Sequence, residues 1–443
     1  MKKVQLITQG CSANQADSEV MAGLLCEAGY AVVDDAPLVV FNTCTVKGPT
    51  ETSFASQLAD LEAQGKTVLI TGCIPQSEKR HASLRNHSLL GTYEIDRVVE
   101  AIERTEAGEL VQILGRKNRS RLNLPKQNRN PAVEIVPLSH GCLSSCTFCK
   151  TKHARGELFS YEPNDIVRHI SAAVKRGAQE VWLTSQDNSA YGFDIGTNLA
   201  ELLERIVTIP ADFRVRVGMA NPEHFASFLP AFLNIMMHPK IFRFVHIPVQ
   251  AGANQVLRDM KRDYTVEYCV DLFSEIEKAL PMVTLGTDLI CGFPTETEEG
   301  FEETLELMRK VRFDVVNISR YWPRPGTPAA SLPQIDGGEL KRRTREVTSL
   351  FHELAEEKNK RWIGWKGEVI LREHGKHHSL LGRNFAYKQV VLPEAGLSLG
   401  QSIEAHITHV GRFDLRGELC PESVVATQNT SKIRDISSSQ PAF

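Results

Sequence analysis

The 443-residue sequence has little net charge, few cysteines and no long hydrophobic run. No window approaches the roughly 18 apolar residues of a membrane-spanning helix, and the apolar run near the N-terminus is too short for a signal-peptide core. We therefore expect a cytoplasmic protein without membrane association. The formal net charge of −3 gives no whole-molecule signal for nucleic acid, so any RNA-binding surface must be local.

Ten cysteines in a chain of this length are too few for a disulfide scaffold. In a reducing compartment, clustered thiols more often serve metal or redox chemistry. Four of the ten are isolated, and we expect them to be buried as small hydrophobic residues. These four are Cys26, Cys269, Cys291 and Cys420. The other six form two groups of three.

The segment HGCLSSCTFCK places Cys142, Cys146 and Cys149 within eight residues. A Cx3Cx2C spacing on a loop folds three sulfur atoms around one centre and leaves a fourth metal position without a nearby ligand. A structural zinc ion normally takes four protein ligands, and here it would have to recruit His140 or His153. An iron–sulfur cluster with one open iron fits the spacing better.

This motif, with Phe148 before its last cysteine, resembles the signature of the radical S-adenosylmethionine (SAM) enzymes. The resemblance implies a [4Fe-4S] cluster on the three cysteines, whose open iron chelates the amino and carboxylate groups of SAM. Reduction of the sulfonium then releases methionine and a 5'-deoxyadenosyl radical. A fourth cysteine would block the position that SAM occupies.

The second group, Cys11, Cys44 and Cys73, is spread over the N-terminal part, and each member follows an apolar run. The runs VQLIT, LVVFNT and TVLIT are typical of buried parallel strands, with amphipathic segments 15–29 and 50–64 between them. This alternation predicts a doubly wound α/β domain, in which ligands gather at the carboxyl ends of the strands. We therefore expect the three thiols to converge, with chance placement of three buried thiols as the alternative.

This arrangement resembles the methylthiotransferases, a branch of the radical SAM enzymes. Their N-terminal domain carries a second [4Fe-4S] cluster on three cysteines, here Cys11, Cys44 and Cys73. The resemblance extends along nearly the whole chain, through blocks such as NTCTVKGPTE, LTSQDNSAYGFD, HIPVQAGANQVLRDMKRDYT and YWPRPGTPAA. The NTCTVK and SQD sequences resemble the archaeal and eukaryotic group that modifies N6-threonylcarbamoyladenosine in tRNA.

Six strand-like runs alternate with helical stretches from Ala132 to about Arg324, which predicts a parallel sheet curved into a partial (β/α)6 barrel. Functional groups are expected at the C-terminal ends of the strands, by analogy with complete barrels. Together with the resemblance, this predicts that the end of the second strand hydrogen-bonds the amino group and ribose of SAM. The residues there are Thr184, Ser185, Gln186 and Asp187.

Other strand ends supply the remaining expected cofactor contacts. Arg216 would neutralise a carboxylate of SAM or of the substrate, or else form a structural ion pair. Leu289 and Phe293 would flank the adenine of SAM. The rest of the set consists of Phe148, Gly218, His246, Pro248 and Gln250.

Two further regions resemble parts that handle RNA. The segment 116–131 holds six lysines and arginines and no acidic residue, which suits an arm along phosphates or a solvated linker. The C-terminal stretch alternates short strand patterns with glycine and asparagine turns and resembles a TRAM domain, a tRNA-binding module. Its expected RNA contacts are Arg383, Lys388, Arg412 and Arg416, with Phe385 and Tyr387 available for stacking.

We therefore predict an N-terminal cluster domain (1–115), a basic linker (116–131), a radical SAM domain (132–362), a TRAM domain (363–427) and a disordered tail (428–443). The implied reaction is methylthiolation of adenine C2 in N6-threonylcarbamoyladenosine beside the anticodon. One SAM methylates a sulfur on the first cluster, and a second yields the radical that removes the C2 hydrogen. Expected partners are the tRNA anticodon stem-loop and an electron donor such as ferredoxin or flavodoxin, and we expect a monomer.

A threonylcarbamoyl group carries a carboxylate, so its pocket should contain a cation near both clusters. Lys47, three residues after Cys44, is the expected reader, and Arg155 is the reserve candidate. The alternative is that Lys47 contacts only tRNA phosphate or solvent. Two other functions stay open: the same chemistry on isopentenyladenosine or a ribosomal-protein aspartate, and a non-enzymatic RNA-binding protein whose cysteines hold zinc.

Overall fold

The N-terminal part of the computed structural model is a six-stranded parallel sheet with helices on both faces. The structure describes residues 2–45, 48–78, 81–394 and 396–420. The strands are β1 Lys2–Thr8, β2 Tyr30–Val33, β3 Leu38–Thr43, β4 Thr67–Gly72, β5 Ser88–Gly91 and β6 Gln112–Ile113. The helices are α1 Ser12–Glu27, α2 Gly48–Ala63, α3 Cys73–Ser77 and α4 Val98–Glu106.

The strand order β2-β1-β3-β4-β5-β6 makes this sheet doubly wound. Alternate residues of β3 enter different cores, because successive side chains of a strand point to opposite faces. Val40 packs in the core that includes α1 and α4, whereas Val39 and Phe41 pack in the core that includes α2. The order changes direction between β1 and β3, the place where such sheets bind ligands.

The central part is a partial barrel whose parallel strands form two three-stranded sheets, β7-β10-β11 and β12-β13-β14. Its strands are β7 Val133–Pro137, β8 Ser139–His140, β9 Phe159–Ser160, β10 Glu180–Thr184, β11 Arg214–Val217, β12 Phe244–His246, β13 Thr284–Cys291 and β14 Val315–Arg320. The short strands β8 and β9 pair with each other beside the barrel. An isolated bridge links Val215 of β11 to Ile241, three residues before β12.

Helices cover the outside of this barrel. They are α5 Thr151–Arg155, α6 Pro163–Lys175, α7 Leu199–Val207, α8 Leu229–Met236, α9 Asn254–Asp259, α10 Val266–Ala279 and α11 Glu298–Val311. Side-chain oxygens of Asn198, Thr265 and Thr297 accept a backbone N–H from the first turn of α7, α10 and α11. Such caps fix where a helix begins, because its first N–H groups have no partner within the helix.

A long helix, α12 Gly337–Asn359, leads to a closed five-stranded barrel. The strands are β15 Lys366–His374, β16 Ser379–Arg383, β17 Gln389–Pro393, β18 Ser402–Val410 and β19 Leu415–Leu419. The predicted fold class, an α/β protein with a doubly wound sheet, a partial barrel and a small β-barrel, is confirmed. The predicted tail 428–443 lies outside the described residues.

Two sequence expectations about exposure need correction. Cys26 is exposed and Cys420 is only half-buried, although Cys269 and Cys291 are buried as expected. Lys388 is buried, and its ammonium lies 2.8 Å from Asp314 of the central barrel. Tyr387 packs against Phe244, with ring centres 5.5 Å apart. Lys388 and Tyr387 therefore hold the small barrel against the partial barrel. The prediction that they contact RNA is wrong, because their side chains are engaged in this packing.

None of the described helices combines the length and the hydrophobicity of a membrane-spanning segment.

Candidate functional site

The first cysteine triad lies at the ends of three adjacent strands. Cys11 precedes α1 after β1, Cys44 follows β3, and Cys73 begins α3 after β4. Because β1, β3 and β4 are neighbours in the sheet, the three thiols converge as predicted. A hydrogen bond with Cys44 and the positive charge of Arg155 lower the pKa of Cys11 to about 6, whereas burial raises the pKa of Cys73.

Two glycines with positive φ allow this convergence. Gly10 has φ +98°, and a Cβ there would lie 2.4 Å from both Cβ and Sγ of Cys44. Gly72, directly before Cys73, has φ +93°, and a Cβ there would lie 2.4 Å from the Asn42 Oδ1. Only glycine tolerates both the backbone conformation and the close approach. The loops are therefore built to bring the sulfur atoms to one place.

The second triad lies on the loop that leaves the first strand of the partial barrel. The backbone N–H of Cys142 donates to Gly156 O at 3.2 Å, and that of Cys149 donates to Cys146 O at 3.2 Å. All three cysteines are half-buried. Burial raises the pKa of Cys142 to about 12 and also raises that of Cys146. The triad is therefore held by backbone hydrogen bonds of its own segment and stays partly exposed.

The spacing of the thiols within each triad can be compared with the spacing around a single zinc ion. Among the described residues, the one group of three His, Cys, Asp or Glu ligand atoms within 4.8 Å of one another consists of Asp187, Glu223 and His224. Neither cysteine triad meets that limit. Sulfur atoms that share one zinc ion at about 2.3 Å would lie only about 3.8 Å apart. Each triad thus contains at least one pair of sulfur atoms more than 4.8 Å apart, a separation that suits a larger iron–sulfur cluster.

Arg155 connects the two triads. It is buried at the end of α5, directly after the second triad, and its Nη2 lies 2.7 Å from Asn14 Oδ1 and 2.8 Å from Asp17 Oδ2 on α1. The same Asn14 oxygen accepts from Cys73 Sγ at 3.6 Å, and its Nδ2 donates to Thr43 O at 2.7 Å. The guanidinium of Arg155 is therefore engaged with the helix that follows Cys11.

The loop after β14 holds the segment that follows Cys44. Arg324 Nη1 lies 3.0 Å from Glu51 Oε2, and its Nη2 donates to Thr45 O. The Trp322 ring covers Gly48, where a Cβ would lie 2.6 Å from the ring. Lys47, the expected reader of the substrate carboxylate, falls between these contacts but lies outside the described residues.

The expected SAM contacts on β10 divide into engaged and open groups. Thr184 Oγ1 lies 2.8 Å from Ser12 Oγ of α1, and Gln186 Oε1 accepts from Gly141 N at 2.8 Å. Asp187 is fully buried and accepts from Asn221 N and Nδ2, both at 2.9 Å. In contrast, the buried hydroxyl of Ser185 has no hydrogen-bond partner within the described part of the chain. Among these four residues of the described chain, Ser185 is thus the one whose side chain has no hydrogen-bond partner.

The other expected contacts surround the same rim. His246 Nε2 lies 3.1 Å from Asp288 Oδ1. Gln250 has φ +76°, and its backbone pairs with β13. The buried Phe293 ring lies 6.5 Å from that of Phe148. The remaining members are buried Leu289, Pro248, whose carbonyl accepts from Tyr264 Oη at 3.2 Å, and Gly218, where a Cβ would lie 2.5 Å from Asn188 Nδ2.

Arg216 lies in an aromatic environment. Its guanidinium carbon is 5.7 Å from the ring centre of Trp182, 5.0 Å from that of Phe244 and 5.2 Å from that of Tyr387. Its buried Nε has no hydrogen-bond partner in the described ranges. These cation–π contacts hold Arg216, and no ion pair of Arg216 occurs among the described residues, so the structural ion pair considered from the sequence is not found there.

Several buried cations at the site were missed by sequence reasoning or interpreted as linker charges. Arg262 Nη1 donates to Cys146 Sγ at 3.0 Å. Arg121 lies 2.5 Å from Asp17, and Lys126 lies 3.1 Å from Glu19, so these two linker residues are not free to follow phosphates. The linker composition could not reveal this, because both partners lie on α1, over 100 residues earlier.

Comparison with protein families gives two matches. Residues 3–90 match the family described as "Uncharacterized protein family UPF0004", and residues 136–308 match the radical SAM superfamily. The chain is similar to the threonylcarbamoyladenosine tRNA methylthiotransferase of Drosophila pseudoobscura pseudoobscura, with 42% identity covering 94% of this chain and 77% of that protein. A probable enzyme of the same name from Pyrococcus abyssi is also 42% identical, over 89% of this chain and 94% of that protein.

Solved structures share the fold at low sequence identity. The radical SAM methyltransferase TsrM from Kitasatospora setae superposes with a TM-score of 0.55 at 15% identity, over 74% of this chain and 75% of that chain. The cobalamin-dependent radical SAM enzyme OxsB gives a TM-score of 0.52 at 10% identity, over 80% of this chain and 56% of that chain. At these identities, the likeness concerns the fold alone.

Proposed function

The chain belongs to the threonylcarbamoyladenosine tRNA methylthiotransferase family, and on that premise we propose how its residues perform the reaction. It is a radical SAM enzyme that adds a methylthio group to C2 of the adenine in N6-threonylcarbamoyladenosine of tRNA. The observation that carries the proposal is the connection of two open cysteine triads through buried Arg155, which follows Cys149 and contacts Asn14 and Asp17 behind Cys11.

Two [4Fe-4S] clusters and SAM are the cofactors. Cys11, Cys44 and Cys73 would hold one cluster, and Cys142, Cys146 and Cys149 would hold the other. When bound, they supply reductive SAM cleavage and a methylated sulfur. Such chemistry suits adenine C2, because its C–H bond is not activated towards acids or bases. The protein's own task is to position the two centres around one adenine and to exclude water.

For SAM, the rim residues divide into contacts and supports. We assign Ser185, with its unsatisfied hydroxyl, and His246 to hydrogen bonding, and Phe148, Leu289 and Phe293 to the apolar surface around the adenine. The supporting residues hold loops or keep strand ends close together. These are Thr184, Gln186, Asp187, Gly218, Pro248 and Gln250.

For the substrate, Lys47 stays the proposed reader of the threonylcarbamoyl carboxylate, because it follows Cys44 by three residues and the described residues Thr45 and Gly48 are contacted by Arg324 and Trp322. Arg155 is better suited to positioning the first triad, because Asp17 and Asn14 already occupy its guanidinium. Arg412 and Arg416, exposed on the small barrel, are the proposed phosphate contacts. An external one-electron donor of ferredoxin or flavodoxin type would complete the system.

Anaerobic purification combined with nucleoside mass spectrometry tests the proposal. We expect brown protein with about eight irons, from two four-iron clusters, and loss of the 2-methylthio derivative from tRNA of a deletion strain. Colourless protein containing zinc would contradict the enzyme assignment. A mass change on isopentenyladenosine or on a ribosomal protein, with threonylcarbamoyladenosine unaffected, would contradict the substrate assignment.

A further inference from the structure

Arg262, in the VLRDMKRDYT block, is a buried arginine directly beside the second cysteine triad. Its Nη1 donates to Cys146 Sγ at 3.0 Å. The other nitrogens have separate partners: Nε donates to Tyr264 Oη at 2.8 Å, and Nη2 donates to Asn221 Oδ1 at 2.7 Å. Because a guanidinium is planar, fixing Nε and Nη2 also fixes the direction of the Nη1 hydrogen bond. The fork is therefore aimed at the sulfur by the protein.

A purely structural ion pair explains this geometry poorly. The nearest carboxylate, Glu223, lies 3.8 Å from Arg262 Nη1, beyond hydrogen-bond distance. Glu223 has a closer partner, since Ser144 Oγ donates to its Oε1 at 2.5 Å. A cysteine that ligates a metal is deprotonated. With a cluster bound, the Cys146 sulfur would therefore be the negatively charged group closest to Arg262.

We propose that Arg262 is a positioning residue that raises the reduction potential of the [4Fe-4S] cluster on Cys142, Cys146 and Cys149. When this cluster accepts one electron from an external donor, its negative charge increases by one and the donor is oxidised by one electron. No bond forms or breaks in that step. A buried positive charge and an N–H···S bond stabilise the more negative state, and hydrogen bonds to cluster sulfurs are a known determinant of potential.

The test uses the full chain carrying Cys11→Ala, Cys44→Ala and Cys73→Ala, so that a single cluster contributes to the signal. The cluster is titrated with dithionite under anaerobic conditions, and the reduced form is followed by electron paramagnetic resonance. In Arg262→Gln, we expect the ratio of reduced to oxidised cluster at a fixed potential to fall at least about tenfold, equivalent to about 59 mV. The inference rests on the cluster assignment of the proposed function.

Two further variants separate electrostatics from packing. Glu223→Gln removes a nearby negative charge, so its potential should stay unchanged or become less negative. Arg258→Gln removes an exposed charge four residues away, held by Gln255 at 2.7 Å, and should leave the potential unchanged. A structural role for Arg262 would instead move Arg262→Gln and Glu223→Gln in the same direction, and that result would overturn the proposal.

Iron content distinguishes failure of the inference from failure of the function. A parent protein without iron would overturn the cluster assignment itself. An iron-containing Arg262→Gln with the parent potential would overturn only the role of Arg262. If Arg262→Gln does not retain iron, Arg262→Lys is used, which keeps the charge but loses the fixed fork. We then expect a reduced-to-oxidised ratio between the parent value and about one tenth of it, and a ratio above the parent value or more than about tenfold below it would overturn the proposal.

Discussion

Replacement of Arg155 by alanine tests the connection between the two triads. Asp17 is only 3% exposed, and it pairs with both Arg155 and Arg121. Removing a sole partner from a buried ion pair costs about 3–5 kcal/mol. Because Arg121 stays in place, we expect the smaller loss typical of one charge-assisted hydrogen bond, about 1.5–3 kcal/mol. The expected results are a lower thermal midpoint and reduced iron at the first triad, with SAM cleavage still measurable.

The substrate assay distinguishes this role from carboxylate reading. Activity is compared on matched tRNAs with and without the threonylcarbamoyl group. If Arg155 positions the first triad, Arg155→Ala loses activity equally on both and binds less iron. A loss confined to the tRNA with the group, at full iron content, would refute the reasoning and return Arg155 to the substrate pocket. Arg116→Ala is the matched control, because within the described ranges this exposed arginine donates only to His153 O, at 3.2 Å.

Three further predictions follow from the site. Lys47→Ala should weaken activity on tRNA carrying the threonylcarbamoyl group by at least about tenfold, or about 1.4 kcal/mol, and equal loss on both tRNAs would show that it contacts the backbone. Gly10→Ala should reduce the iron bound at the first triad, because its Cβ would overlap Cys44, whereas Gly29→Ala, also at positive φ but in open space, should not. Equal iron content in the two variants would contradict the role of Gly10 in bringing the thiols together. The two triads should be separable by alanine substitution. Replacing Cys142, Cys146 and Cys149 should abolish SAM cleavage but leave the other cluster bound, whereas replacing Cys11, Cys44 and Cys73 should keep SAM cleavage and stop methylthio transfer. A folded triple variant without any iron would contradict two independent cluster sites.

The sequence predicted those features that depend on local pattern. Apolar runs followed by cysteines placed Cys11, Cys44 and Cys73 at strand ends, and parallel strands bring such ends together. Contacts between distant segments were not predictable in this way. Arg324 reaches the carbonyl of Thr45 across 279 positions. Likewise, the alternating pattern of the C-terminal strands could not show that Lys388 forms a buried ion pair with Asp314 of the partial barrel.

The acidic pair on α1 limits how freely the N-terminal sheet can be exchanged between proteins. Asp17 and Glu19 are buried there, and their cationic partners come from outside that sheet: Arg121, Lys126 and Arg155. A fragment ending at β6 would retain both carboxylates and lose all three partners. Recombination with a different radical SAM barrel would therefore have to carry these three cations along with the cysteines. The N-terminal sheet is therefore coupled to the rest of the chain by buried ion pairs and not only by its covalent connection.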